Sequence, residues 1–147
     1  MFQQIKKEKS RFLPWLLMGD EQESMIQHYL DRGQLFVLYE NNAVACVAVV
    51  TDEGDGLCEL KNMATDPAFR RQGYGRRMIE LLCEQYRPLF HSMQVGTGES
   101  PLTLPFYEAC GFTYSHRIPN FFTDNYDHPI VEEGILLRDM VYLKREL

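Results

Sequence analysis

Residues Glu59 to Met78 read as a strand that turns sharply at Asp66-Pro67 and re-enters as a helix through the loop Arg70-Arg71-Gln72-Gly73-Tyr74-Gly75-Arg76-Arg77. A strand, a glycine-bearing loop and a helix in that order imply a helix packed on a sheet. The loop itself has the chemistry of a phosphate cradle. The first N–H groups of a helix have no partner within it, so they converge on an anion, and the helix dipole adds attraction. Gly73 and Gly75 let that anion approach the backbone closely. Four arginines and the donor Gln72 crowd this loop in a chain whose net charge is −6. Cations at a helix start oppose the dipole unless an anion sits between them.

Two other phosphate loops do not fit. A dinucleotide fingerprint places a third glycine where Met78 stands, and a Walker loop places Lys and Ser or Thr where Arg76 and Arg77 stand. Arg70-Arg-Gln-Gly-Tyr-Gly75 instead resembles the Arg/Gln-x-x-Gly-x-Gly/Ala signature of the GNAT N-acetyltransferase superfamily. Downstream, Phe106-Tyr-Glu-Ala-Cys-Gly-Phe112 is similar to that family's Leu-Tyr-x-x-x-Gly-Phe segment. The two motifs stand in the family order and, with the elements between them, cover Leu57 to Phe112.

The resemblance implies an α/β (α+β) fold with a mixed, mostly antiparallel central sheet. A central parallel strand pair is splayed around the coenzyme, with about four flanking helices. It implies acetyl-coenzyme A (acetyl-CoA) as cosubstrate, its pyrophosphate on Arg70, Arg71, Gln72, Gly73, Tyr74, Gly75 and Arg76. It also implies a pantetheine arm paired with strand backbone near Met63, Ala64 and Thr65, and a side-chain contact at Ser100, where the family often carries Asn.

Length and composition fit one domain over residues 1–147, since a chain of that size buries roughly two thirds of its unfolded surface. The acidic balance argues against nucleic acid or an anionic membrane surface as partner. Cys46, Cys58, Cys83 and Cys110 lie in apolar contexts without metal-ligand spacing, so they read as core residues, no metal is expected and the compartment reads as the cytoplasm. Neither a leader pattern nor a bilayer-spanning run is visible.

Periodicity fills in the rest. Phe2 to Lys6 reads as a strand, and Ser10 to Met18 and Asp20 to Arg32 as helices, with Ser10 or Asp20 as caps and Gly33 as a stop. Leu35 to Tyr39 and Ala43 to Thr51 form a hairpin across Glu40-Asn-Asn42. Met78, Ile79, Leu82, Cys83 and Tyr86 share one helix face, and Pro88 ends that helix. His91 to Thr97 reads as a strand parallel to Leu57–Thr65, because the helix between them is a crossover. The next helix starts at Ser100-Pro101 or near Thr103, and the longer version is preferred. Phe112–Ile118 and Ile135–Lys144 are expected as antiparallel strands, the C-terminal one available to pair across a homodimer. Between them, residues 119–134 form a long insertion whose Phe121, Phe122 and Tyr126 argue for order.

Acetyl transfer to an amine requires a neutral amine, a polarised carbonyl and a protonated leaving thiolate. Tyr107, which the resemblance places beside the coenzyme sulfur, is the expected proton donor, a phenol of pKa near ~10. Glu59 is the expected base, through water, at the strand position where the histone-acetylating branch carries its glutamate. A backbone N–H near Met63 or Ala64 is expected on the thioester oxygen. The leading reading is an acetyl-CoA-dependent N-acetyltransferase acting on a primary amine, small molecule or protein, by direct transfer in a ternary complex. A different acyl group or acceptor, or a non-catalytic acyl-CoA-sensing module, are the alternatives. Acids in the insertion, Asp124, Asp127, Glu132 and Glu133, read equally as a cation-attracting patch or a solvated loop.

Overall fold

Strands β2 (Gln34–Glu40) and β3 (Ala43–Gly54) are almost continuously apolar because both of their faces are covered. In the computed structural model, which describes residues 1–147, Leu35 and Val37 point to one face and Phe36 and Leu38 to the other. The first face packs on Phe12, Leu16, Ile26 and Leu30 from a 3-10 turn (Lys9–Phe12) and helices α1 (Leu13–Gly19) and α2 (Glu23–Leu30). The second packs on Met78, Ile79, Leu82, Cys83 and Tyr86 of helix α3 (Tyr74–Tyr86). Emptying one such position, Leu82→Ala, costs about 2–5 kcal/mol. All four cysteines are free and buried.

The sheet is mixed. With β1 (Phe2–Ile5), β4 (Leu57–Thr65), β5 (Ser92–Gly98), β6 (Thr113–Ile118) and β9 (Met140–Glu146), its order is β1-β2-β3-β4-β5-β9-β6. Every pair is antiparallel except β4 with β5, the pair that α3 connects as a crossover. That parallel ladder runs only from Leu57↔Ser92 to Leu60↔Val95. Beyond it, β4 stays with β3 up to Thr65 and β5 stays with β9 up to Gly98, so the sheet opens into a V. The opening coincides with a bulge, since β4 gains Lys61 as an extra residue opposite Val49 and Val50.

Turn chemistry follows the sequence. Asn41 and Asn42 both adopt positive φ, as a two-residue hairpin loop requires, and Gly111 at φ 93 closes helix α4 (Thr103–Ala109). There the Phe112 N–H reaches back to the Tyr107 carbonyl at 3.0 Å.

Several expectations change. Helix α4 begins at Thr103, with Pro105 in its first turn where no N–H is needed, so the longer version is wrong. Neither Ser10 nor Asp20 starts a helix: Ser10 sits inside the 3-10 turn, and Asp20 is the C-cap of α1 while Gln22 opens α2. The expected strand 135–144 is two elements, β8 (Ile135–Leu136) in a small hairpin with β7 (Val131–Glu132), then β9. β9 lies between β5 and β6, which occupy both its edges, so it has no free edge to offer a second copy. The insertion is ordered, as its aromatics suggested. It contains helix α5 (Phe121–Asn125) and a small core of Phe122, Ile130 and Leu137. No helix is long and apolar enough to cross a membrane.

Candidate active site

The loop before α3 is shaped by two left-handed residues, Arg71 at φ 62 and Gly73 at φ 85. Successive residues of alternating handedness turn their N–H groups to one side. None of the backbone N–H groups of residues 70–76 donates within the chain; the first that does is that of Arg77, to the Gly73 carbonyl at 3.0 Å. A Cβ on Gly73 would meet nothing within 4 Å, so glycine is required there by conformation, and space lies open in front of it. Gly75 is required by contact, since its Cβ would stand 3.2 Å from the Phe106 ring and 3.5 Å from Met63.

The loop's side chains divide. Arg70 folds back, its Nε donating to the Thr65 carbonyl at 3.3 Å, and the Gln72 amide donates to the Ala68 carbonyl at 3.4 Å. Tyr74 packs edge-on against Phe69 and donates to Glu40. None of Arg70, Arg71, Arg76 or Arg77 forms an ion pair, although carboxylates outnumber cations in the chain. An array of unpaired amides with unpaired guanidinium groups beside it suits a polyanion.

A groove of about 290 Å³ leads away from this loop, lined by Gly73, Gly75, Arg76, Thr65, Met63, Leu102, Thr103, Phe106 and Tyr107. On the other side of Met63, Thr103 and Tyr107 lies a second cavity of about 240 Å³, between the splayed strands. Its walls are residues 60–63 of β4, 95–98 of β5, the α1–α2 turn at residues 18–21, and the insertion through Phe122, Tyr126, Ile130 and Glu132. The two spaces thus share three residues, with Tyr107 at the junction.

Tyr107 is half-buried, and its hydroxyl makes no hydrogen bond within the chain. Burial, with Cys110, Cys46 and Glu132 nearby, pushes its pKa well above the ordinary phenol range. The group therefore keeps its proton at any working pH and can present an O–H to a neighbouring atom.

Met63, Ala64 and Thr65 separate by the two-residue period of an antiparallel ladder. Asp66 N–H bonds Ala45, so by alternation Ala64 bonds Val47 on the β3 side, and Met63 and Thr65 direct their backbone groups to the side that β5 has left. Ala64 is also packed into the α1–α2 core, so it is turned away from the opening between β4 and β5.

Two further expectations are corrected. Ser100 is 1 % exposed, and its Oγ accepts from the Leu102 N–H at 3.2 Å. It shapes the turn before α4 and lines neither space. Thr103 stands there instead, its hydroxyl within 3.0 Å of Thr97 Oγ1, and a threonine in the first turn after β5 was the signal for it. Glu59 is paired with Gln94 in the closed part of the parallel ladder, before the V opens. Its carboxylate accepts from Gln94 at 2.6 Å and pairs with Lys61 at 2.9 Å, so it does not face the cavity. Lys61 itself is among the residues that line it.

The sequence reading missed Asp20, Asn62 and Tyr126. Asp20 Oδ1 accepts from Tyr126 Oη at 2.8 Å and Oδ2 from Tyr29 Oη at 3.1 Å. Asn62 Nδ2 donates to Tyr29 Oη at 3.0 Å and to the Leu16 carbonyl at 2.8 Å. This chain of bonds ties the insertion to the α1–α2 turn across the cavity. Two more contacts reinforce it: Asp127 N–H to Gln22 at 3.0 Å, and His128 between Asp127 and Glu21. No cluster of three or more His, Cys, Asp or Glu side chains has metal-holding geometry.

Comparison with known proteins is consistent with this geometry. The acetyltransferase (GNAT) domain family matches residues 31–114. The uncharacterized N-acetyltransferase YvbK of Bacillus subtilis is 30% identical over 134 residues, 90% of this chain and 86% of that protein. A GNAT family acetyltransferase of Elizabethkingia anophelis, crystallised with acetyl-CoA, superposes with a TM-score of 0.95 at 29% identity, over 100% of this chain and 97% of that one. A Bacillus subtilis acetyltransferase in complex with CoA superposes with a TM-score of 0.91 at 27% identity, over 99% and 97%.

Proposed function

This chain belongs to the GNAT acetyltransferase family, and from that premise we propose that it transfers acetyl from acetyl-CoA directly to a primary amine held in the second cavity. The observation that carries this reading is the meeting of two spaces at Tyr107: a groove that starts at unpaired amides, and a separate chamber for an acceptor. The diphosphate lies on the loop from Arg71 to Arg76, and the pantetheine arm follows the Met63 backbone and the Thr65 N–H on the side that β5 has left. The Met63 N–H polarises the thioester oxygen.

The amine attacks the carbonyl carbon, the N–C bond forms, the C–S bond breaks and the thiolate leaves. Tyr107 donates its O–H to that sulfur. Because burial opposes a phenolate, the transfer is a strong hydrogen bond to the departing thiolate, with solvent completing its protonation. The amine's own proton leaves to solvent through the chamber. Glu59 contributes at one remove, by fixing Lys61 at the wall. The four buried thiols suit the reducing cytoplasm.

The test is acetyl-CoA turnover against a panel of amines, following thiol release together with the mass of the product. Release matched one for one by acetylated amine is expected. Binding of acetyl-CoA without transfer to any amine would favour a sensing module instead.

A further inference from the structure

The acceptor chamber is strongly anionic. Asp20, Glu21 and Glu132 line it, and its one lining cation, Lys61, is already offset by Glu59. An amine must be neutral to attack, and the product amide is neutral, so the reacting nitrogen leaves Asp20 and Glu132 without a cation throughout the chemical step, whereas Glu21 has His128 at 3.6 Å. A second positive charge on the acceptor removes that penalty.

Of the three carboxylates, Asp20 is the one the fold fixes. Tyr29 and Tyr126 each donate to one of its oxygens, which leaves a further lone pair on each for a ligand. No Lys, Arg or His pairs with it, and burial raises its pKa despite those two bonds. Asn62 adds an unpaired acceptor to the wall, its Oδ1 lying over Gly19. It lines the same chamber at 4 % exposure, and its Oδ1 has no donor in the protein. The Tyr126 and Phe122 rings add apolar and π surface to the wall beside Asp20. Size limits the ligand as well, because about 240 Å³ falls below the range of drug-sized ligands.

We infer that the acceptor is a small dicationic amine: one nitrogen loses its proton and reacts beside Tyr107, while the other stays charged and is held by Asp20 next to Tyr126. This rests on the N-acetyltransferase reading above and makes Asp20 the residue that sets acceptor choice.

The experiment compares 1,4-diaminobutane with n-butylamine, which share a four-carbon chain and differ in the second charge. For the wild type, kcat/KM should favour the diamine by about 10- to 100-fold, the worth of one hydrogen bond to a charged group. The diamine's KM should also rise more steeply with salt. Asp20→Asn should collapse the preference chiefly through the diamine's KM. Tyr126→Phe removes one hydroxyl and keeps the ring, and it should erode the preference partway, a check that survives if Asp20→Asn folds poorly. Equal use of both amines by the wild type, or a preference that persists in Asp20→Asn, would overturn the inference and leave N-acetyl transfer standing. Failure to acetylate any amine would overturn both.

Discussion

The loop before α3, the proposed cradle, and the cavity between the splayed strands, the proposed acceptor chamber, sit on opposite sides of Tyr107 and are built by different means. The cradle is a backbone device: seven consecutive residues, 70–76, two of them in left-handed conformations, present amides with no partners. The chamber is a side-chain device. Its wall joins residues 106 positions apart, through Tyr126 and Asp20, and holds only while a small core of Phe122, Ile130 and Leu137 keeps the insertion folded. The first is set by conformation and tolerates most changes elsewhere, whereas the second depends on tertiary contacts and is the easier of the two to remodel. A coenzyme common to a family and an acceptor particular to each member fit that division.

Tyr107, at the border, should give the largest effect. Tyr107→Phe should lower single-turnover acetylation by about 100-fold or more while acetyl-CoA affinity is kept; an untouched rate would mean that the sulfur needs no donor there. Gly73→Val tests the cradle alone. Forcing a β-branched residue to φ 85 costs about 1–3 kcal/mol, so calorimetry should show acetyl-CoA binding weakened by about 10- to 100-fold. Unchanged affinity would detach the coenzyme from this loop.

Phe122→Ala tests the chamber alone. It should raise the amine KM several-fold and leave acetyl-CoA affinity as it was, and a parallel loss of both would show that the two sides are not independent. The smallest effect belongs to His128. Asp127 and Glu21 hold its pKa above the ordinary 6.5, so its contribution to the latch is complete at low pH and fades as pH rises through the raised value. The amine KM should climb modestly over that interval, and His128→Leu should flatten the climb.

The same division explains what the sequence disclosed. Residues 70–76 are legible because a helix start and a glycine before it, Gly73, are local properties written in adjacent positions. The parallel pair is legible through the handedness and length of its crossover. Where the V opens is not, because the parallel ladder ends at Leu60, next to the bulge at Lys61, and so leaves Glu59 in its closed part. Ser100 misled because its position suited a contact while its hydroxyl was consumed by the turn it makes. Asp20 and Tyr126 carried no joint signal, since each alone reads as a cap or as core, and only the fold brings them within 2.8 Å.

The most direct test is a crystal structure of the chain with acetyl-CoA. Diphosphate oxygens should lie about 2.7–3.2 Å from backbone nitrogens between Arg71 and Arg76, with the thioester next to the Tyr107 hydroxyl. A diphosphate bound away from that loop, or a thioester remote from Tyr107, would contradict the account.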